Sequence, residues 1–327
     1  MSKPLRWGII GTSFISGVMI DAIRLEGRSE VALVAGRNPQ TCADFAAQYQ
    51  LAYGTDYDAL ITDPAIDIIY IALPNHLHAE YVVKAAQAGK AIVCEKSLSV
   101  DMASTERALA AVAKAGVFFA EGLMYLNHPL IRELLRLLQT GAIGELNSVH
   151  ASYSAAISQF TNPGSKGTLF NLGCYPLSLL QLVLQQQGLS DCSKGAQFSG
   201  FGRVGSDGNI VEANVAARFS NGVTAQLHSA EDYGLTHQFE LLGSKGYLRC
   251  HSNPWLPGES NQLLLAEYEQ PEQIIEVTAD GDGFLYQVRH VIDALRRGEK
   301  QLARPSATVD DSRQVMALLM QWHQAVS

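Results

Sequence analysis

Positive charge is in short supply in this sequence. The 24 lysines and arginines are outnumbered by 32 aspartates and glutamates, which leaves a formal net charge of -8. Nucleic acids and anionic membrane surfaces are bound by basic patches, so this balance argues against both as general partners. Long apolar stretches are missing too, because no run reaches the roughly 18 residues that a membrane-spanning helix needs. We therefore expect neither a nucleic-acid-binding nor a membrane-embedded protein.

Cysteine is scarce and shows no pattern. The five residues are odd in number and contain no Cys-x-x-Cys spacing: Cys42, Cys94, Cys174, Cys192 and Cys250. A disulfide framework needs paired cysteines, so we expect reduced and mostly buried thiols. The opening stretch "MSKPLRWGIIG" lacks the charged-then-apolar arrangement and cleavage site of a secretory signal. Together these features predict a cytoplasmic protein.

The chain is long enough for two domains. Its 327 residues exceed twice a typical domain of about 150 residues. Hydrophobic residues make up 47% and charged residues 17%, which is ample material for packed cores. We expect the domain boundary near residues 121–128, with one domain over 1–123 and a second over 124–327. The last helices could belong to either domain.

Strand and helix patterns alternate over the first 120 residues. The segments "LRWGII", "SEVALVAG", "IDIIYIAL" and "KAIVCE" are apolar, as is typical of strands buried on both faces of a parallel sheet. Helix-like segments separate them, such as "HLHAEYVVKAAQAG" with its terminal glycine. Repeated strand–helix units predict an α/β domain with a doubly wound parallel sheet.

The pattern changes after the amphipathic segment "PLIRELLRLLQTGAIGE". Strand patterns now follow one another, and Asn221-Gly222 separates two of them with a dipeptide that favours a tight hairpin. From Val211 to Phe219 hydrophobic residues occupy every second position and mostly polar residues the others. One buried face and one polar face are typical of an antiparallel sheet.

The stretch "GIIGTSFIS" follows a strand and opens a helix, which is the position of a dinucleotide-binding turn. Backbone amides at such a turn face a pyrophosphate, and we assign this contact to Gly11, Thr12, Ser13, Phe14 and Ile15. The match to Gly-x-Gly-x-x-Gly is incomplete, because serines occupy the second and third places. A strand-to-helix turn without a ligand is the alternative.

The end of the second strand bears on the choice of cofactor. An NAD site offers an acidic residue to the ribose 2′-hydroxyl about 20 residues after the turn. Here the strand ends in "VAGRN", which supplies Arg37 and no acid. Because arginine pairs well with a phosphate, the sequence predicts NADP rather than NAD. A solvated loop charge is the alternative role for Arg37.

Two further motifs lie at predicted strand ends, where α/β proteins bind ligands. They are Pro74-Asn75-x-x-His78 and Glu95-Lys96. At this point the chain resembles the glucose–fructose oxidoreductase and inositol dehydrogenase (Gfo/Idh/MocA) family, which has P-N-x-x-H and E-K-P turns at these places. The stretches "MYLNHP", "GTLFNLGCYP" and "FELLGSKGYL" look most similar to the branch of dihydrodiol dehydrogenases and NADP-dependent sugar dehydrogenases.

The resemblance runs over essentially the whole chain and implies a fold and an activity. It implies an N-terminal Rossmann domain and an α+β C-terminal domain with an open, mainly antiparallel sheet. It also implies a carbohydrate or diol substrate. The implied assembly is a homodimer or higher oligomer formed through the C-terminal sheet.

The resemblance also implies roles for single residues. Lys96 matches the lysine that contacts substrate and cofactor, and Glu95 matches the residue that orients its turn. Tyr175 matches the acid/base, and Asn171 matches a position that is usually aspartate. The turn beside the nicotinamide ribose is matched by Leu73, Pro74, Asn75 and His78.

The chain departs from the family pattern at four positions. Ser13 replaces the middle glycine of the phosphate turn, and Ser97 replaces the proline of E-K-P, so that turn loses a fixed φ. Leu126 stands where an arginine is common, and Asn171 replaces the aspartate. The changes at Leu126 and Asn171 bear on which substrate binds and on the rate of catalysis.

Oxidation of a carbinol needs a base for the hydroxyl proton. Tyrosine has a pKa of about 10 and is a poor base at neutral pH, but a nearby cation lowers that pKa. We therefore predict that Tyr175 and Lys96 act as a pair and that Asn171 orients a substrate hydroxyl or Tyr175. The alternative roles are a core aromatic residue for Tyr175 and a surface charge for Lys96. His76 and His78 lack a third ligand, so no metal site is predicted.

The sequence leaves three functions open. The leading one is an NADP-dependent oxidoreductase acting on a sugar, polyol or vicinal diol. The second is an NADP(H)-binding sensor or regulator of the same fold, in which Leu126 and Asn171 have blunted catalysis. The third is a glycosidase with tightly held NAD, against which Arg37 argues.

Overall fold

The computed structural model describes residues 3–327. The chain divides into two units. The N-terminal unit comprises the chain up to Met124 together with Phe284–Val309, and the C-terminal unit comprises Tyr125–Gly283 and Asp310–Ser327. The two late helices that the sequence left unassigned therefore separate, one into each unit.

The structure contains the helices that the sequence predicts and one more, over Tyr57–Thr62, that it did not predict. They are α1 (Phe14–Glu26), α2 (Pro39–Tyr49), α3 (Tyr57–Thr62), α4 (Asn75–Gln87), α5 (Met102–Ala115), α6 (Pro129–Gln139), α7 (Cys174–Gln186), α8 (Gly283–Arg296) and α9 (Val309–Val326). The Asp101 side chain caps α5 by accepting a hydrogen bond from the Ser104 amide. Within residues 3–327, no helix combines the length and the apolar character that crossing a bilayer requires.

The N-terminal unit is built on a six-stranded sheet. Its strands are β1 (Leu5–Ile10), β2 (Ser29–Ala35), β3 (Ala52–Gly54), β4 (Ile68–Ile71), β5 (Ala91–Cys94) and β6 (Phe119–Glu121). Every pairing is parallel, and the order is β3-β2-β1-β4-β5-β6. Strand β4 is buried along its whole length, as expected when helices cover both faces of a sheet. The predicted doubly wound parallel sheet is confirmed.

The strand order reverses between β1 and β4. The chain proceeds from β1 outward through β2 and β3, and then returns to β4 and proceeds the other way through β5 and β6. Parallel sheets bind ligands outside the carboxyl ends of the strands at such a reversal. Gly11 follows β1 and Ala72 follows β4, so these residues mark the place where the sheet positions a ligand.

The C-terminal unit contains an eight-stranded sheet. Its strands are β7 (Leu146–Ala155), β8 (Gln197–Val204), β9 (Ile210–Arg218), β10 (Thr224–Ala230), β11 (Leu235–Gly243), β12 (Gly246–Cys250), β13 (Ser260–Glu267) and β14 (Gln273–Thr278). The order is β14-β13-β12-β11-β7-β10-β9-β8. Strands β9 and β10 form the predicted hairpin around Asn221-Gly222, with Ala217 opposite Ala225. The mainly antiparallel sheet is confirmed.

The sequence did not predict strands β3, β7, β8, β13 and β14. Strand β7 lies between β10 and β11 and makes the one parallel pairing in this sheet, with β10. Its sequence "LNSVHASYSA" is rich in serine, and that of β8 contains Gly200 and Gly202. Small and flexible residues weaken the β signal, so neither segment shows the pattern that marks β9.

Candidate active site

The turn after β1 requires its glycine. Gly11 has φ +111, and a Cβ built on it would lie 2.3 Å from the carbonyl oxygen of Ala72. Only glycine fits both the left-handed backbone and this close approach. The tight turn then delivers the chain to Ser13, the N-cap of α1, whose side chain makes no capping hydrogen bond.

The two serines of the turn differ in their surroundings. Ser16 is fully buried, and its hydroxyl donates to the carbonyl of Gly11 at 2.9 Å, so it braces the turn from inside. Ser13 and Phe14 are exposed, and Thr12 is half-buried. Ile15, also half-buried, lies in the first turn of α1.

The beginning of α1 suits an anion. No acidic residue lies in its first turn, and the side chain of the N-cap leaves the first amides without a capping bond. A helix N-terminus of this kind attracts negative charge through its amides and its dipole. Together with the tight turn that Gly11 allows, these features fit the pyrophosphate of a dinucleotide.

Arg37 lies two residues after the end of β2 and is exposed. The preceding Gly36 is close to the phosphate turn, because a Cβ built on it would lie 2.8 Å from the Thr12 methyl group. Burial raises the pKa of Tyr57, while the charge of Arg37 and hydrogen bonds to it act in the opposite direction. Arg37 thus follows the strand whose end contacts the ribose in dinucleotide-binding folds.

One imidazole joins the loops that follow β4 and β5. His78 is fully buried, with Nδ1 2.7 Å from the carbonyl oxygen of Ser97 and Nε2 2.6 Å from that of Leu73. Leu73 and Pro74 lead into α4, which begins at Asn75. The resemblance assigned His78 to the nicotinamide ribose, and the structure gives it this bracing role inside the unit.

Burial sets the protonation state of His78. Both of its neighbours are carbonyl oxygens, so an imidazolium would donate to each of them. Burial disfavours that charge more strongly than the carbonyls favour it, and it lowers the pKa of His78 to about 4. At neutral pH the ring is uncharged and donates to only one of the two carbonyls.

Two buried carboxyl groups flank Lys96. Glu95 Oε1 accepts a 2.6 Å hydrogen bond from the Tyr70 hydroxyl, and burial raises the Glu95 pKa although the Lys96 charge opposes the rise. Glu121, at the end of β6, accepts the Leu98 amide at 3.0 Å. Lys96 itself is half-buried. The lysine therefore stands on a turn that side chains fix on both sides.

Cys94 lies beside these acids, and its thiol is expected to be unreactive. It pairs with Glu121 across β5 and β6. Burial first, and then the charges of Glu121 and Glu95, raise the pKa of its thiol well above the usual value. A thiol that stays protonated is a poor nucleophile, which agrees with the expected role as a small buried residue.

In the C-terminal unit, Asn171 and Tyr175 occupy one continuous helical segment. Leu169–Gly173 forms a single π-helical turn, and α7 continues from Cys174. Such wide turns occur often at functional sites because they redirect side chains within a helix. Asn171 and Tyr175 are 6% and 8% exposed, so both side chains are nearly removed from solvent.

Aromatic rings surround Tyr175. The centroids of Tyr153, Tyr125 and Trp255 lie 5.3, 5.6 and 6.2 Å from its own. The Tyr125 hydroxyl also donates to the Tyr175 carbonyl oxygen at 3.0 Å. Burial raises the pKa of Tyr153 to about 12, so this neighbour keeps its proton. The cluster fixes the Tyr175 ring by packing.

Asn171 has a carboxyl partner that the sequence did not reveal. Its Nδ2 donates to Glu231 Oε2 at 2.7 Å. Glu231 directly follows β10 and is 2% exposed. The acid that the resemblance led us to expect at position 171 is absent, but a carboxyl group adjoins that position from another element.

The structure brings together some of the predicted residues and not others. Within the N-terminal unit the loops carrying Asn75 and Lys96 are joined through His78. Within the C-terminal unit Asn171 and Tyr175 share one segment. Lys96 and Tyr175 belong to different units, so their pairing stays a prediction. Among residues 3–327, no group of three His, Cys, Asp or Glu side chains is arranged to hold a metal ion.

Two family models match the chain. The first, an oxidoreductase family with an NAD-binding Rossmann fold (GFO_IDH_MocA), matches residues 5–123. The second, the GFO/IDH/MocA C-terminal domain, matches residues 131–249.

Similar proteins are known as enzymes. Trans-1,2-dihydrobenzene-1,2-diol dehydrogenase of Sus scrofa is 26% identical over 98% of this chain and 97% of its own length. A dTDP-3,4-didehydro-2,6-dideoxy-alpha-D-glucose 3-reductase of Streptomyces violaceoruber is 30% identical over 77% of this chain and 75% of the relative. The crystal structure of a 3-ketoreductase from Actinomadura kijaniata with NADP and TDP-benzene has a TM-score of 0.88, at 26% identity over 99% of this chain and 98% of that one.

Replacing His78 tests its position between the two loops through the pH dependence of the free energy of unfolding. Because the folded-state pKa is depressed, the unfolded chain binds more protons between about pH 4 and 6.5, and stability falls as the pH is lowered through this window. From pH 7.5 to 5, His78 should account for a loss of about 2 kcal/mol. In urea denaturation, the free energy of unfolding of His78→Gln should therefore decrease less between these two pH values than that of the wild type.

The matched control for this measurement is His76→Gln. His76 lies in the same turn but is exposed, so its replacement should leave the pH dependence of unfolding as in the wild type. Equal pH dependence in His78→Gln and the wild type would contradict the assignment of a neutral, buried imidazole.

Proposed function

We propose a hydride-transfer function for this chain, since it belongs to the GFO/IDH/MocA family of oxidoreductases. In this proposal the hydride passes between a carbinol of a sugar, polyol or vicinal diol and NADP. The reverse reaction reduces the corresponding carbonyl. The observation that carries the proposal is the position of Tyr175, which is 8% exposed, packs among aromatic rings and lies one helical turn after Asn171. The similar proteins named above are sugar or diol oxidoreductases.

NADP is the proposed cofactor. Arg37 is exposed at the end of β2, and the residues that follow the strand supply no acid to bind a ribose 2′-hydroxyl. The similar 3-ketoreductase was crystallised with NADP, which supports the same choice here. The amides at Gly11, Thr12, Ser13, Phe14 and Ile15 would bind the pyrophosphate.

Hydride donation or acceptance is the chemistry that NADP supplies when bound. We propose that this chain contributes proton transfer at Tyr175 Oη and positive charge at Lys96. The charge favours the phenolate and so lowers the pKa of the tyrosine. Asn171 would orient a substrate hydroxyl beside it. Glu95 and His78 would fix the turns that present Lys96 and Asn75.

The sensor alternative has one observation in its favour. Leu126 lies in the short helical turn Met124–Asn127 and is 2% exposed, so it offers an apolar group where the resemblance expects arginine. A sensor would bind NADPH without turnover. Assays of a sugar and diol panel with NADP separate this alternative from an enzyme.

The open face of the C-terminal sheet is the proposed interface of a homodimer or higher oligomer. Residues of β9 alternate between buried and exposed, which leaves Asn214 and Arg218 facing outward. On the neighbouring strand β8, Phe201 is 86% exposed. An exposed aromatic residue beside polar groups is typical of a protein–protein interface.

Replacing Arg37 tests the choice of cofactor. Loss of a charge-assisted contact weakens binding by about 1.5–3 kcal/mol. We expect Arg37→Ala to raise the KM for NADP roughly 10- to 100-fold and to leave the KM for NAD unchanged. The exposed Arg24 of α1 provides the control, since Arg24→Ala should alter neither value. A wild type that prefers NAD would overturn the proposal.

Replacing Tyr175 tests proton transfer. Loss of an acid/base group lowers rates by about 10²- to 10⁴-fold. We expect Tyr175→Phe to lower kcat by this factor while NADPH binding, measured by fluorescence, stays unchanged. Tyr153→Phe is the control and should lower kcat less than tenfold, because Tyr153 keeps its proton.

Lys96→Met extends the same experiment to the proposed pair. Without the cation the pKa of Tyr175 should rise, so the pH at which kcat increases should move upward. If Tyr175→Phe retains wild-type kcat, Tyr175 is a core aromatic and the proposed chemistry fails.

Replacing Phe201 tests the oligomer. A buried glutamate opposes association, so Phe201→Glu should shift the molar mass in light scattering from an oligomer to a monomer. Phe160 is 81% exposed and lies outside the sheet, and Phe160→Glu should leave the mass unchanged. A monomeric wild type would remove the proposed interface.

A further inference from the structure

Glu231 is a buried acid to which neither the motifs nor the resemblance assigns a role. It is 2% exposed, and Asn171 Nδ2 lies 2.7 Å from its Oε2. Removing a carboxylate from water is unfavourable unless strong interactions replace its hydration. This one is buried against the residue that lies one helical turn before Tyr175, so it acts on the segment that carries the tyrosine.

The main chain at Glu231 is fixed on two sides. Its amide donates to the carbonyl of Val211 at 2.9 Å. Its carbonyl oxygen accepts the amides of Ile157 and Ser158, each at 2.8 Å. The backbone is therefore fixed, and burial of the side chain limits the positions that the carboxyl group can take beside Asn171.

The π-helical turn is joined to the end of β10 at a second point. The hydroxyls of Thr168 and Ser229 lie 2.7 Å apart, and both residues are fully buried. Thr168 and Asn171 thus bind the same stretch of chain, Ser229 to Glu231. Two such bonds set the rotation of the turn that precedes Tyr175.

The carboxyl group also sets the direction of the Asn171 amide. A carboxylate only accepts hydrogen bonds, whereas an amide has a donor end and an acceptor end. Nδ2 must therefore face Glu231, and Oδ1 faces away from it. A glutamine in place of Glu231 could donate or accept, so the Asn171 amide could then adopt either orientation.

We propose that Glu231 is a positioning residue that selects for substrates with a second hydroxyl. It fixes Asn171 so that Oδ1 accepts the proton of a hydroxyl next to the reacting carbon. A substrate without that hydroxyl gains nothing from the fixed amide. This inference rests on the proposed oxidoreductase function and adds to it the feature that separates diols from simple alcohols.

The test uses the full chain with NADP, the best substrate of the sugar and diol panel, and its deoxy analogue without the neighbouring hydroxyl. We expect Glu231→Gln to lower kcat/KM for the diol tenfold or more, and for the analogue less than threefold. Asn171→Asp places two carboxyl groups at hydrogen-bond distance, which raises the pKa of one of them, so activity should fall as the pH rises and that proton is lost. The double variant Asn171→Asp/Glu231→Gln removes one of the two carboxyl groups, so its kcat/KM for the diol should exceed that of Asn171→Asp at every pH.

Glu240→Gln is the matched control. Glu240 on β11 is also buried, and its carboxyl group pairs with Arg249, so its loss should lower thermal stability without changing the diol-to-analogue ratio. The proposal is overturned if Glu231→Gln leaves that ratio unchanged, or if the double variant is no better than Asn171→Asp.

A wild type without turnover of any panel member would refute the proposed function instead. The inference is then decided by calorimetric binding of the diol to the NADP-loaded protein. Weaker binding in Glu231→Gln that the double variant restores would support it, and equal binding in all three proteins would overturn it.

Discussion

A single buried imidazole connects the two loops on which the candidate cofactor site depends. His78 lies between the carbonyl oxygens of Leu73 and Ser97, one from each loop. The sheet places the strand ends side by side, but strand ends do not fix the loops beyond them. Because Ser97 replaces a proline, the turn after Lys96 relies on His78 and on Glu121 rather than on a restricted φ.

The C-terminal unit uses the same principle with different groups. A buried acid, Glu231, accepts a hydrogen bond from an amide on a neighbouring element, the turn that leads to the candidate residue Tyr175. Buried polar groups are costly unless they are satisfied, and a satisfied network specifies one arrangement. In both units, buried polar groups therefore fix the positions of the loops, while the apolar core supplies most of the stability.

Much of this molecule could be predicted from local pattern. Apolar strands and terminal glycines predict the parallel sheet, and alternation around Asn221-Gly222 predicts the β9–β10 hairpin. The position of Arg37 follows from its spacing after the phosphate turn. Glu231 is 60 residues from Asn171, and no local period reports a contact at that range. Strand β7 was missed because its serine-rich sequence shows no clear alternation of apolar and polar residues.

The path of the chain has a consequence for modularity. The chain leaves the N-terminal unit after Met124, returns at Phe284 and leaves again after Val309. The returning helix α8 is part of the architecture, since Gln287 donates to the carbonyl of Glu121 at 3.1 Å. A gene fragment ending near residue 124 would encode a sheet without its last helix. Recombination can therefore exchange the nucleotide-binding half only by cutting the gene at three places.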